Sequence, residues 1–139
     1  MEQVRIFENS LKRMQDIKKL PTSDERESAF DKLYDDLPGW KGKLFDKYRD
    51  ALRRGNQYMD FDDLPDDAEL PALVYCLKEC RVKHVTVSSR LSSSAARILT
   101  LQKRGCVLDG MVEINGKVKN PATGCYEKEP AFLLVIKSA

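Results

Sequence analysis

A single histidine, His84, stands among the 139 residues, so any Ser–His or Cys–His couple would have to use it. No serine sits in a G-x-S-x-G elbow and no G-x-x-x-x-G-K-S/T loop occurs. The chain therefore lacks the signatures of an α/β-hydrolase and of a P-loop nucleotide enzyme. No C-x-x-C pair occurs among the four cysteines. No apolar run is longer than that at residues 131–136, which has strand length and falls far short of the ~18 residues of a membrane span. The first residues, Met1-Glu2-Gln3-Val4-Arg5, lack the basic-then-apolar order of a secretory leader. Cysteines without such a leader read as reduced thiols, so the expected compartment is the cytoplasm, with no membrane partner and no cofactor. Strong charge is missing too. The net charge is +2, with 13 basic against 14 acidic side chains before Pro65 and 11 against 8 after it. Neither half is a polycation that would hold nucleic acid by counterion release.

What remains is a composition 42% hydrophobic and 33% charged, that of a globular protein with enough chain for one core. The expected organisation is one domain over residues 1–139, with a helical front (1–55) and an α/β unit (56–139). Val4, Phe7, Leu11, Met14 and Ile17 recur at steps of three and four, an amphipathic helix ended at Leu20-Pro21. Thr22 and Glu25 have capping-box spacing, and the helix they open turns Ala29, Phe30, Leu33 and Leu37 inward. A third helix, about 40–54, follows Pro38-Gly39 and aligns Trp40, Leu44, Tyr48 and Leu52. Gly55 suits its C-terminal cap, with Arg53 and Arg54 where the macrodipole favours cations.

Residues 57–63 read equally as a short strand or an acidic loop. A helix starting between Asp66 and Pro71 should bury Leu73, Val74 and Leu77. Residues 84–88 (HVTVS) alternate as a strand, a serine-rich turn follows, and Ala95, Ile98, Leu99 and Leu101 mark a helix closed by Gly105. Two long strands complete the chain, about 107–118 and 126–137. Asn115-Gly116 and the loop 120–124 compete to join them. The loop leaves the better-matched partners, Val112 opposite Phe132 and Leu108 opposite Ile136, with Gly116 as a bulge. Pro130 then needs an edge or a local distortion. The crossover through residues 84–114 should leave its two strands parallel. The fold class is α+β: N-terminal helices, then a βαββ unit with a small mixed sheet, a parallel pair plus an antiparallel hairpin.

Tyr58-Met59-Asp60-Phe61, Val85-Thr86-Val87-Ser88-Ser89 with Ser92-Ser93-Ser94-Ala95, and the run from Gly105 through Asn115 (GCVLDGMVEIN) occur together here. In this combination the last 80 or so residues resemble a small family from gut Firmicutes, often carried on conjugative or other mobile elements. Similar sequences often carry an aromatic in the serine turn, where this chain has Leu91. The resemblance implies a bacterial, mobile-element setting and supplies no activity and no site residues.

The most site-like feature is the serine turn. Ser88, Ser89, Arg90, Ser92 and Ser93 follow a strand and open a helix, where free N–H groups and hydroxyls attract an anion. The plainer reading is helix capping, since glycines that admit a phosphate are missing. The acidic run Asp60, Asp62, Asp63, Asp66, Asp67 and Glu69 invites a divalent cation, yet carboxylates ahead of a helix are favoured by the dipole alone. Cys76, Cys80 and His84 fall at four-residue steps, with Cys106 or Cys125 as a fourth zinc ligand. His84 lies past the helix, so core packing is the better reading and no metal is expected. Asp109 and Glu113, an even number apart, share one side of a strand. Lys43, Lys47 and Arg54 share a helix face interrupted by Asp46 and Asp50. These readings favour a non-enzymatic accessory or regulatory protein that binds another protein. The alternative is a small-ligand or phosphate binder, conceivably an enzyme, using residues 88–94.

Overall fold

The computed structural model describes residues 2–90 and 94–137. Three helices come first: α1 (Glu2–Lys18), α2 (Ser23–Asp35) and α3 (Trp40–Arg54). Phe7 is fully buried, with Phe45 and Tyr48 of α3 at ring-centroid distances of 5.9 and 5.5 Å; the side chain of Val4 lies outside the description. The Thr22 hydroxyl accepts from the Glu25 amide at 3.2 Å and caps α2. Gly55 ends α3 at φ +70°, in the left-handed region where an L side chain is strained.

The α/β unit runs β1 (Met59–Phe61), α4 (Leu70–Glu79), β2 (His84–Ser88), α5 (Ser94–Lys103), β3 (Cys106–Lys119) and β4 (Tyr126–Ile136). The ambiguous segment at 57–63 therefore contributes a strand, buried along its length. The sheet order is β1-β2-β4-β3. β1 and β2 form the parallel pair, and β4 lies antiparallel between β2 and β3. The strands on either side of α5 run in the same direction, as the crossover requires, but β4 separates them. Among the described residues no helix is long and apolar enough to cross a membrane.

Alternation gives the sheet two different faces. Met59, Phe61, Val85, Val87, Leu134 and Ile136 share the first, which meets Leu73 and Leu77 of α4 and Leu101 of α5. One continuous apolar core runs from Phe7 to Ile136. Asp60, Thr86, Ser88 and Glu129 lie on the second face and are also buried.

Loop 120–124 joins β3 to β4, closed by Gly124 N–H donating to the Asn120 carbonyl at 2.8 Å. The expected register needs correction. Val112 faces Ala131, and Leu108 faces Leu134. Two irregularities shift it, one between Leu108 and Met111 and one between Asn115 and Lys119. The second is the bulge expected at Gly116. The first falls at Asp109-Gly110, where Gly110 takes φ +88°, and it breaks the even spacing that put Asp109 and Glu113 on one side. Leu108 consequently lies on the opposite face from Val112 and Ile114.

Pro130 sits in a strand that is central from Ala131 to Val135, yet the demand for a local edge is met. β2 ends at Ser88 opposite Ala131. Pro130 lies one residue beyond, its carbonyl accepting from Ser89 N–H at 3.3 Å. Its nitrogen faces the same way, past the end of β2, where no ladder bond is lost.

Beyond that point the β3–β4 ribbon bends over the second face. Asn115 N–H donates to Asn56 Oδ1 at 2.9 Å, and Asn56 Nδ2 donates back to the Asn115 carbonyl at 3.0 Å. Lys117 pairs with Asp62. One asparagine side chain thus imitates a strand rung and fastens β3 to the chain entering β1.

Candidate functional site

The bent ribbon encloses a network of charges. Arg54, at the end of α3, has a side chain with no solvent exposure. Its guanidinium donates to Asp50 Oδ2 at 2.5 Å, to the Asn115 carbonyl at 3.2 Å and, more weakly, to Asp60 Oδ2 at 3.5 Å. Asp60 Oδ1 accepts from the Thr86 hydroxyl at 2.8 Å. The Asn115 side-chain amide caps the Arg54 carbonyl at 2.6 Å. Among the described residues the buried Arg54 Nε has no hydrogen-bond partner. Burial raises the Asp60 pKa above the ordinary carboxylate value; Thr86 and Arg54 oppose it, while Asp62 and Glu129 push the same way. Gly116 makes the enclosure possible by close approach: a Cβ there would meet the Glu129 carboxyl carbon at 3.0 Å and the Glu127 carbonyl at 3.1 Å.

The expected anion turn meets this network at its rim. The Ser88 hydroxyl donates to Glu129 Oε1 at 3.2 Å and accepts from Arg90 N–H at 3.2 Å. Arg90 Nε pairs with Glu129 Oε2 at 2.8 Å, with 58% of its side chain exposed. Ser89 donates its backbone N–H to Pro130. Leu91, Ser92 and Ser93 lie outside the described residues. The polar groups of Ser88 and Arg90 are thus already turned toward a buried carboxylate.

The acidic run divides: Asp63, Asp66, Asp67 and Glu69 are exposed, and Asp60 and Asp62 are drawn inward. Asp60 is interior. Asp62 pairs with Lys47 at 2.9 Å and with Lys117, Asp63 with Lys47 at 2.7 Å, and Asp67 with Arg97 at 2.8 Å. Among the described residues no three His, Cys, Asp or Glu side chains converge to hold a metal. Burial pushes the Asp62 carboxyl up, but hydrogen bonds from Lys117 and Lys47 outweigh it and hold the pKa well below the ordinary range. A depressed folded-state pKa gives stability that is present above the unfolded value and lost as pH falls. Asp62→Asn is therefore expected to lower the melting temperature at pH 7. That deficit should shrink below about pH 4, where the unfolded carboxylate titrates. A deficit that stays constant down to pH 2.5 would refute the assignment.

The supposed basic face of α3 is corrected as well. Lys47 is bound by Asp62 and Asp63, Arg54 points inward, and Lys43 lies over the Trp40 ring at 4.3 Å. Seven residues are two helical turns, so Arg54 lies on nearly the same face as Lys47, and it is the β3–β4 ribbon meeting this end of α3 at Asn115 that encloses it. Cys76, Cys80 and Cys106 are buried, and Cys125 is exposed. Burial, reinforced by Cys80, pushes the Cys76 thiol up to about 12, far from a reactive thiolate. The His84 ring lies against Tyr58 at a centroid distance of 5.4 Å, tilted by 37°.

A last exposed feature had little signal in the sequence. β3 is the outer strand, and because Asn115 turns its N–H and C=O away from β4, so do Glu113 and Met111 at two-residue steps in unbroken register. Leu108 and Met111 lie on the face covered by α5, yet they are 38% and 52% exposed.

No curated protein matches the chain, and no solved structure does. A family model matches residues 43–136, from α3 to the end of β4. That span holds the sheet, the enclosed charges and the open edge, and by it the chain belongs to the DUF7698 family, described as a domain of unknown function.

Proposed function

We propose that the chain is a non-enzymatic binding protein, an accessory or regulatory component of a bacterial mobile element, that docks a protein partner on the outer edge of β3. The observation that supports this reading is the pair of outward-facing backbone rungs at Met111 and Glu113 beside exposed Leu108 and Met111. An unpaired edge with neighbouring apolar side chains is the surface to which an extended peptide adds. The groups that look chemical are occupied internally: Arg54 by Asp50 and Asp60, Arg90 and Ser88 by Glu129, Lys47 by two aspartates. At Ser88 and Arg90 an anion would compete with Glu129, which both already engage.

Glu113→Pro tests the proposal. Glu113 faces Pro130, whose nitrogen lies toward β2, so the substitution deletes one outward donor and leaves the β3–β4 bonds in place. A protein recovered from host lysate on the wild-type chain should be recovered at least tenfold less on the variant. Equal recovery would refute the edge as the docking site. Turnover of nucleotide or ester substrates above a heat-killed control would refute the non-enzymatic reading.

A further inference from the structure

From the charge along this edge we infer that the partner is a basic, extended segment, carrying an apolar side chain and a Lys or Arg two residues apart, and added to β3 as a fifth strand. The inference rests on the docking reading just given. Side chains two apart on a strand share a face, so Met111 and Glu113 lie side by side on the α5 side of the ribbon. A strand laid against the outward rungs places alternate side chains opposite these two, one beside a thioether and the next beside a carboxylate.

From Cys106 to Asn115 the edge carries two acidic side chains, Asp109 and Glu113, and no basic one. Both are exposed, and neither forms an ion pair among the described residues. Their situation contrasts with Asp50, Asp60, Asp62, Asp63 and Asp67, each of which has a basic partner. Lys128, opposite Asn115 on the same face, is held by Asn115 Oδ1. The open length is bounded on one side by the bulge at Asp109-Gly110 and on the other by Asn56. Recognition is thus confined to a short segment read by an apolar contact and a charge.

Fluorescence anisotropy of the full chain with three labelled twelve-residue peptides tests this. One repeats Val-Thr-Lys-Thr, and the others carry Glu or Gln in place of Lys. The basic peptide should bind at least tenfold more tightly than the acidic one and weaken as salt rises. D109K/E113K should reverse the order. Equal binding of all three that Glu113→Pro abolishes overturns the inferred partner chemistry while leaving the edge in place. Binding that Glu113→Pro does not affect overturns the edge reading itself.

Discussion

Arg54→Met is expected to destabilise the protein by about 3–5 kcal/mol at neutral pH, the usual result of removing one member of a buried ion pair. The guanidinium is the cation that reaches Asp60 and Asp50 while also satisfying the Asn115 carbonyl. Without it, Asp60 keeps the Thr86 hydroxyl among the described residues and faces the field of Asp62 and Glu129. The remaining remedy is protonation. The Asp60 pKa, already raised in the wild type, should rise further. A raised folded-state pKa gives stability that is full below the unfolded value and disappears as pH climbs through the folded one. The variant should therefore recover part of its loss on acidification. Asp60→Asn in the same background removes the orphaned charge, and the double variant should be more stable than Arg54→Met alone at pH 7. Urea titrations of the four proteins measure the coupling. A single variant within about 1 kcal/mol of wild type would contradict the buried pairing.

Phe7→Ala is the second large effect expected, about 3–5 kcal/mol for emptying a fully buried aromatic site. It also tests how α1 is joined to the rest. The ring of Phe7 lies against Phe45 and Tyr48, and both belong to α3 within the DUF7698 match. If the helical front shares the core with the sheet, the variant unfolds in one transition shifted to lower urea. Two separate transitions, with only the first displaced, would show that α1 and α2 fold apart from residues 43–136.

Helices and strands were legible because their signals are local. Thr22 with Glu25, Gly55 and the alternation of HVTVS each carry their instruction within a few residues. The loop at 120–124 was legible for the same reason. Strand order was not. The sequence shows that residues 84–88 and 106–119 can run in one direction, but nothing in either segment announces that β4 is to lie between them. The register erred by one residue at Val112, through the irregularity between Asn115 and Lys119, and by a second at Leu108, through the extra residue at Asp109-Gly110, because a glycine in a strand marks a bulge without giving its size. Of the candidate site, the serine turn was visible, while Glu129, which engages both Ser88 and Arg90, lies 41 residues from Ser88. Arg54 reads in the sequence as a helix-end cation, the common use of such a position. Only the fold of the distal ribbon makes it interior.

The clasp between Asn56 and Asn115 spans 59 residues. Two side-chain hydrogen bonds cannot offset the closure entropy of so long a segment by themselves, so they form once α4, β2 and α5 have already drawn the ends together. The sealing of Arg54 and Asp60 is accordingly expected late in folding, with the Asn115 N–H exchanging through local opening of the clasp.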